Sequence, residues 1–218
     1  LPDPQLRAQL RIQLQIRLRE GLAQLAIDAD ALQQQAFLDY IELLAKWNKA
    51  YNLTAVDDPL TMVSRHILDS LSVAPWLCGE TFIDVGTGAG LPGVPLAILF
   101  PTRTFTLLDS AGKRTRFLTQ VQSSLKLSNI HIVQSRAEQH QPQVLFDGVL
   151  SRAFAALQDM VTHCQHLCGP GGRYYAMKGQ PPLDEIAALP ATVLVEQQIR
   201  LTVPFESAAR HLVVLTQH

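Results

Sequence analysis

Apolar residues in the first third of the chain recur mostly at helical spacing; from Thr81 onward they gather into short runs of strand length separated by helical stretches. Residues 5–19 are ambiguous, because Leu6, Leu10, Ile12, Leu14, Ile16 and Leu18 fall on even positions in a strand-like alternation. The residues between them are Gln, Arg and Ala, which favour helices, and the leucines also form i, i+4 rows, so a helix is predicted. A second helix is predicted from a cap at Asp28 or Asp30 to about Trp47, with Leu32, Ala36, Phe37, Ile41, Leu43 and Leu44 on one broad face. Residues 48–56 form a polar connector with Trp47 and Tyr51 as aromatic anchors. Pro59 then opens a short helix through Met62, His66 and Leu71.

Strands are predicted at residues 81–85, 104–109, 130–134, 145–151, 172–177, 192–202 and 210–216, with helices at 94–99, 112–127 and 157–167. Alternation of this kind is the mark of a doubly wound α/β sheet. The first five strands can run parallel. The last two lack a connector long enough for a crossover helix and should pair antiparallel. The expected architecture is a seven-stranded, mostly parallel sheet with an antiparallel edge strand and an N-terminal helical extension, divided into a helical cap (1–72) and a main domain (73–218).

Charge gives no global signature, since 18 Lys+Arg stand against 19 Asp+Glu for a formal net charge of −1. Any contact with nucleic acid must therefore be local. Cys78, Cys164 and Cys168 do not form a secreted disulfide pattern, no apolar run approaches the length of a membrane span, and no signal peptide is recognisable, so a cytoplasmic protein without membrane association is expected.

The chemistry concentrates in residues 81–96, Thr-Phe-Ile-Asp-Val-Gly-Thr-Gly-Ala-Gly-Leu-Pro-Gly-Val-Pro-Leu, which read as a buried strand, a glycine turn and a helix. Such a turn lets backbone approach a ligand closely, and ligands of open α/β sheets bind just beyond the strand C-termini. Asp84 precedes the first glycine, where a carboxylate would repel a pyrophosphate. Leu91 stands where the dinucleotide fingerprint needs its last glycine. A second strand ends in Asp109, at the distance where a carboxylate takes ribose hydroxyls. Two carboxylates suit an adenosyl cofactor with a cationic sulfonium and an amino-acid tail better than they suit NAD. The expected fold is a Rossmann-like class I methyltransferase using S-adenosylmethionine.

Several runs carry a family resemblance: Trp-Asn-Lys-Ala-Tyr-Asn-Leu-Thr (47–54), Arg-His-Ile-Leu-Asp-Ser (65–70), Asp-Val-Gly-Thr-Gly-Ala-Gly-Leu-Pro-Gly (84–93), Leu-Leu-Asp-Ser (107–110) followed by Lys-Arg, and Ser-Arg-Ala-Phe-Ala (151–155). From about Glu20 to the C-terminus the chain resembles the RsmG, or GidB, family of bacterial enzymes that methylate a guanine N7 of 16S ribosomal RNA. The resemblance implies a cofactor site in which Asp84, Gly86, Gly88 and Leu91 form the turn, with Gly86 and Leu91 at the methionine and sulfonium end. It further implies that Asp109 holds the ribose, that Ala137 and Glu138 flank the adenine, and that Arg152 stands at the junction of cofactor and substrate. Ala89 stands where the resemblance leads one to expect a proline in some relatives. Residues 1–19 lie outside the resemblance, and their role is left open.

Methyl transfer to N7 needs alignment rather than a general base, because that nitrogen already presents a lone pair. The chain lacks the Asn/Asp-Pro-Pro-aromatic run of exocyclic-amine methylases and the Pro-Cys nucleophile of pyrimidine C5 enzymes. No dedicated catalytic residue is assigned, and Arg152 is the best candidate. For RNA, Arg152 and Lys178 are candidates near the pocket; Lys113, Arg114 and Arg116 form the densest basic group, with Arg65, Arg136 and Arg173 as extensions, and a solvated helix start is the alternative for the group. Arg65, His66 and Asp69 read either as a local cluster joining cap to main domain or as a border of the cofactor site. His163, Cys164, His166 and Cys168 do not share one helix face, so helix packing and no metal site are expected. Trp47 and Tyr51 read as packing anchors, with base stacking the alternative. Two other functions stay open: a small-metabolite methyltransferase, and a non-catalytic ribosome-assembly factor that binds the cofactor. A monomer is expected.

Overall fold

The computed structural model describes residues 4–152, 154 and 156–217. Residues 1–3 of the expected cap, Ala153 and Ala155 of the Ser-Arg-Ala-Phe-Ala run, and His218 lie outside the described residues. Helix α1 (Pro4–Gln24) leads to α2 (Ala31–Tyr51), so the even-numbered leucines do belong to a helix. Leu14, Leu18 and Leu22, spaced by four, form its buried stripe. Each buried leucine of this kind contributes about 1.5–3 kcal/mol. A Cβ on Gly21 would lie 2.2 Å from Leu68 Cδ1, so the Leu68 side chain packs directly on the α1 backbone.

Asp30 caps α2: its side chain accepts from the Gln33 N–H at 2.8 Å, and Gln33 Oε1 accepts from the Asp30 N–H at 2.9 Å. Helix α2 extends a turn beyond the expected end and closes at Asn52 in the left-handed region (φ 48°). The run beginning at Pro59 starts as α3 (Pro59–Met62), widens to a π-helix over Val63–Leu68 and closes as α4 (Asp69–Leu71). Helical periodicity predicts the run but not the widening, which recurs at functional sites in other proteins.

The sheet comprises β1 (Thr81–Val85), β2 (Thr104–Asp109), β3 (Ile130–Gln134), β4 (Phe146–Ser151), β5 (Cys168–Lys178), β6 (Val193–Leu201) and β7 (Arg210–Gln217) in the order β3-β2-β1-β4-β5-β7-β6. The pairings from β3 through β5 are parallel, and β7 is antiparallel to both β5 and β6. The antiparallel strand is thus inserted one place in from the edge, and β6 is the edge. Helices α5 (Gly93–Leu99), α6 (Gly112–Leu125), α7 (Leu157–Cys164) and α8 (Leu183–Ala187) connect the strands. Strand β5 begins at Cys168, earlier than predicted, and α7 ends correspondingly sooner.

Successive strand residues serve opposite faces. Phe82, Phe105, Leu107 and Leu150 share one core with α1, α2, α5 and α6, whereas Ile83, Val85, Leu108 and Val149 meet Leu157, Met160, Val161 and Cys164 on the other side. The helices before β1 are therefore part of the main core. Gln33 Nε2 donates to the carbonyls of Ile98 and Leu99 at the end of α5, and Trp47 packs 5.6 Å from the Phe117 ring on α6. Among the described residues, no helix is long and apolar enough to cross a membrane.

Candidate active site

The glycine turn is built around Asp84, which is fully buried. Its Oδ2 accepts from Thr87 Oγ1 at 2.6 Å and from the Gly93 N–H at 2.8 Å, so one carboxylate ties the two ends of the turn together. A Cβ on Gly93 would stand 2.9 Å from that oxygen and 2.3 Å from Leu107 Cδ2, which is why this position takes no side chain. Gly88, at φ +62°, turns its N–H onto Asp109 Oδ2 at 2.9 Å. From α2, the Tyr40 hydroxyl donates to the Ala89 carbonyl at 2.6 Å. Asp84, Gly88 and Leu91 shape this turn, and none of the three lines either cavity described below. Burial pushes the Asp84 carboxyl up to about 6, and its Oδ1 is buried without a partner among the described residues.

A cavity of about 260 Å³ opens over the C-terminal ends of β1, β2 and β3. It brings together four expected cofactor residues, Gly86, Asp109, Ala137 and Glu138, and adds Arg114, Arg136 and Phe154. Asp109 is 1% exposed; its Oδ1 accepts from the Ala111 N–H at 2.9 Å and its Oδ2 pairs with Arg114 Nη1 at 3.1 Å. Arg114, expected on the RNA side, thus faces the first cavity, because α6 begins directly after β2 and its first turn folds back over the strand end. Ala137 and Glu138 lie on a short 3-10 turn whose carbonyls at Ala137 and His140 contact His166 Nε2 at 3.1 and 3.0 Å.

A second cavity, of about 380 Å³, lies over the ends of β4, β5 and β6 and the start of β7, and is lined by Arg65, His66, Asp69, Arg152, Lys178, Arg210 and His211 among others. Arg152 therefore stands on this side rather than among the first cavity's residues, while Phe154, two residues on, lines the first. Asp69, 4% exposed, accepts from Arg152 Nη1 at 2.8 Å and from Arg210 Nε at 3.1 Å. Burial drives its carboxyl upward against the two guanidiniums; with charge-assisted bonds on both oxygens, the ionised form is the one the geometry holds. His66 is neutral, pushed down to about 4 chiefly by burial, and its Nε2 lies 2.9 Å from Thr54 Oγ1. Glu185 Oε2 accepts from Lys178 Nζ and from the Leu157 N–H, both at 2.8 Å, fixing Lys178 beside the start of α7.

The remaining basic candidates separate. Lys113 Nζ donates to the Tyr51 carbonyl at 3.0 Å, Arg116 is exposed on α6, and Arg65 pairs with Glu206 at 3.1 Å on the rim of the second cavity. Arg173 pairs with Glu196 at 2.6 Å, and its register opposite Gly148 sets it back from the strand ends that carry the site. Cys164 is a core residue whose thiol burial pushes up to about 12. Among the described residues, no three His, Cys, Asp or Glu side chains group so as to hold a metal ion. Arg210 and His211 were missed in the sequence; their signal was an antiparallel strand whose first residues must return to the C-terminal edge of its parallel neighbours.

The profile of the GidB family, described as rRNA small subunit methyltransferase G, matches residues 33–213. The chain belongs to this family. Ribosomal RNA small subunit methyltransferase G of Escherichia fergusonii is 60% identical over 183 residues, which cover 84% of this chain and 88% of that one, and the protein of the same name from Escherichia coli K12 gives the same figures. Solved structures share the fold at low identity. TrmN from Thermus thermophilus superposes with a TM-score of 0.55 at 21% identity, covering 79% of this chain and 52% of that one. An S-adenosylmethionine-dependent O-methyltransferase from Thermotoga maritima gives 0.54 at 16%, covering 74% and 71%. Helix α1 precedes the stretch matched by the family profile.

Proposed function

We propose that this chain transfers a methyl group from S-adenosylmethionine to N7 of a guanine in 16S ribosomal RNA, acting as a monomer in the cytoplasm. The observation that carries the proposal is the pairing of family membership with a cavity containing Gly86, Asp109, Ala137 and Glu138 at the switch point of the sheet. The cavity fits the cofactor chemically. Asp109 supplies a carboxylate for ribose hydroxyls once Arg114 yields its place, Glu138 and Phe154 offer an acceptor and an aromatic face for a purine, and the glycine turn allows close backbone approach. When bound, the cofactor supplies an electrophilic methyl group. The protein's contribution is alignment, which can lower a barrier by about 7–11 kcal/mol, and no side chain is asked to take a proton.

In this reading Asp84, Gly88 and Leu91 act by shaping the turn, and residues 1–72 cap the methyltransferase domain 73–218. The second cavity receives the acceptor base beside Arg152, while Arg65, Lys178, Lys113 and Arg116, with Arg114 and Arg136 nearby, present positive charge to RNA phosphates. The test is transfer of labelled methyl groups to small-subunit particles lacking the modification, to naked RNA and to a metabolite extract. Label in the RNA, at a guanine sensitive to reduction and strand scission as N7-methylguanine is, is the expected result. Label confined to small molecules, or cofactor binding without transfer, would overturn it.

A further inference from the structure

The second cavity draws charged groups from three separate parts of the chain: Arg65 from the π-helical segment, Arg152 and Lys178 from the strand ends, and Arg210 from the start of β7. Lys178 has its own carboxylate in Glu185 and Arg65 has Glu206, whereas Arg152 and Arg210 share the single buried Asp69. Each guanidinium uses part of its donor set there, since Arg152 Nη1 also reaches the Arg65 carbonyl at 3.4 Å and Arg210 Nη1 the Ala209 carbonyl at 2.9 Å. Among the described residues, Arg152 Nε and Nη2 and Arg210 Nη2 have no acceptor, and both side chains line the cavity.

We propose that Asp69 is a positioning residue for methyl transfer, holding Arg152 and Arg210 as a fork whose unused N–H donors engage O6 of the target guanine and leave its N7 free. The inference rests on the guanine-N7 reading above. Guanine presents O6 and N7 side by side as acceptors, and a donor on N7 would block the lone pair that must attack. A fork fixed from behind by a carboxylate can take O6 alone. As the bond from N7 to the methyl carbon forms, the sulfur–carbon bond breaks with its electron pair kept by sulfur. The positive charge passes to the guanine ring, and no proton moves. Two uncompensated guanidiniums would oppose that arriving charge, and Asp69 cancels one of them.

Asparagine at position 69 keeps the shape, loses the charge and leaves only one oxygen acceptor for two guanidiniums. The experiment measures Asp69→Asn, Arg210→Gln and the double variant for kcat, KM toward small-subunit particles and cofactor Kd. Asp69→Asn should lower kcat at least about tenfold, the loss expected for one mispositioned charged contact. Its KM for particles should not rise, because the net positive charge facing RNA increases, and its cofactor Kd should stay within about twofold of wild type. The double variant should be no slower than Asp69→Asn, since the carboxylate acts through the arginines. A purely structural role would weaken cofactor binding and KM together and leave kcat per folded molecule intact, which would overturn the proposal. If Asp69→Asn fails to bind cofactor, Arg210→Gln decides: an unchanged kcat/KM toward particles overturns the proposal, and a clear loss at unchanged cofactor affinity supports the fork. Absence of methyl transfer to RNA by the wild-type protein would overturn the functional reading itself, whereas RNA methylation that Asp69→Asn leaves at full kcat would overturn only the role of Asp69.

Discussion

Asparagine at position 84 would keep an oxygen for Thr87 Oγ1 and the Gly93 N–H while removing the one ionisation buried inside the glycine turn. Burial raises the Asp84 carboxyl from 3.8 to about 6, against the hydrogen bonds of Thr87 and Gly93 and the charge of Arg152, and nearby Asp109 adds to the rise. A carboxyl raised on folding holds its proton more tightly in the folded chain than in the unfolded one. Its stabilising contribution is complete below 3.8 and is lost as pH rises through about 6. At about 1.4 kcal/mol per tenfold difference in proton affinity, the whole span is about 3 kcal/mol, of which about 2 kcal/mol falls between pH ~4 and ~7. Urea unfolding of wild type and Asp84→Asn across that range measures it, because the difference between the two proteins cancels the titration of every other group. Stability should shift in favour of the variant by about 2 kcal/mol on going from the acid to the neutral end. A difference that stays constant with pH would refute the assignment of a raised, buried carboxyl.

Three further substitutions probe the same region. Tyr40→Phe leaves the Ala89 carbonyl without its buried donor and should cost about 1–3 kcal/mol in denaturant unfolding, with weaker cofactor binding as the turn loosens; a loss of stability with unchanged affinity would separate the helix from the site. Asp109→Ala removes the acceptor for two ribose hydroxyls, and isothermal titration should show cofactor Kd raised about 10- to 100-fold. Arg114→Gln clears the guanidinium from Asp109 and should leave cofactor affinity equal or tighter, so a large weakening would mean that Arg114 itself holds the ligand.

The glycine turn, the strands and the two carboxylates were legible in the sequence because each rests on local rules: short apolar runs of strand length, clustered glycines and an acid at a strand end. The π-helical widening at Val63–Leu68 was not, since the same apolar spacing serves an α-helix and the extra residue per turn is decided by what packs around it. Basic residues divided for the same reason. Lys113, Arg114 and Arg116 are close in sequence, yet one reaches back to the end of α2, one folds onto Asp109 and one faces water. Asp84 and Asp109, alike as acids at strand ends, also diverge, the first spent on the turn and the second on the cavity wall.

The insertion of β7 between β5 and β6 explains why the second cavity is assembled from such distant parts of the chain. Parallel strands deliver only their last residues to the edge where ligands bind, and β4 and β5 contribute Arg152 and Lys178 in that way. An antiparallel strand in their midst delivers its first residues instead, and the register Lys178 to His211 and Leu201 to Arg210 fixes those side chains at the same edge. The helical run before β1 closes the cavity with Asp69, which neutralises charge arriving from β4 and β7 together. Arg152 lines the second cavity and Phe154, two residues on, the first, so the exit of β4 contributes to both chambers. A methyl group crossing from one chamber to the other would pass between Phe154 and Arg152, where a misplacement of about 1 Å can cost about 100-fold in a reaction that depends on alignment.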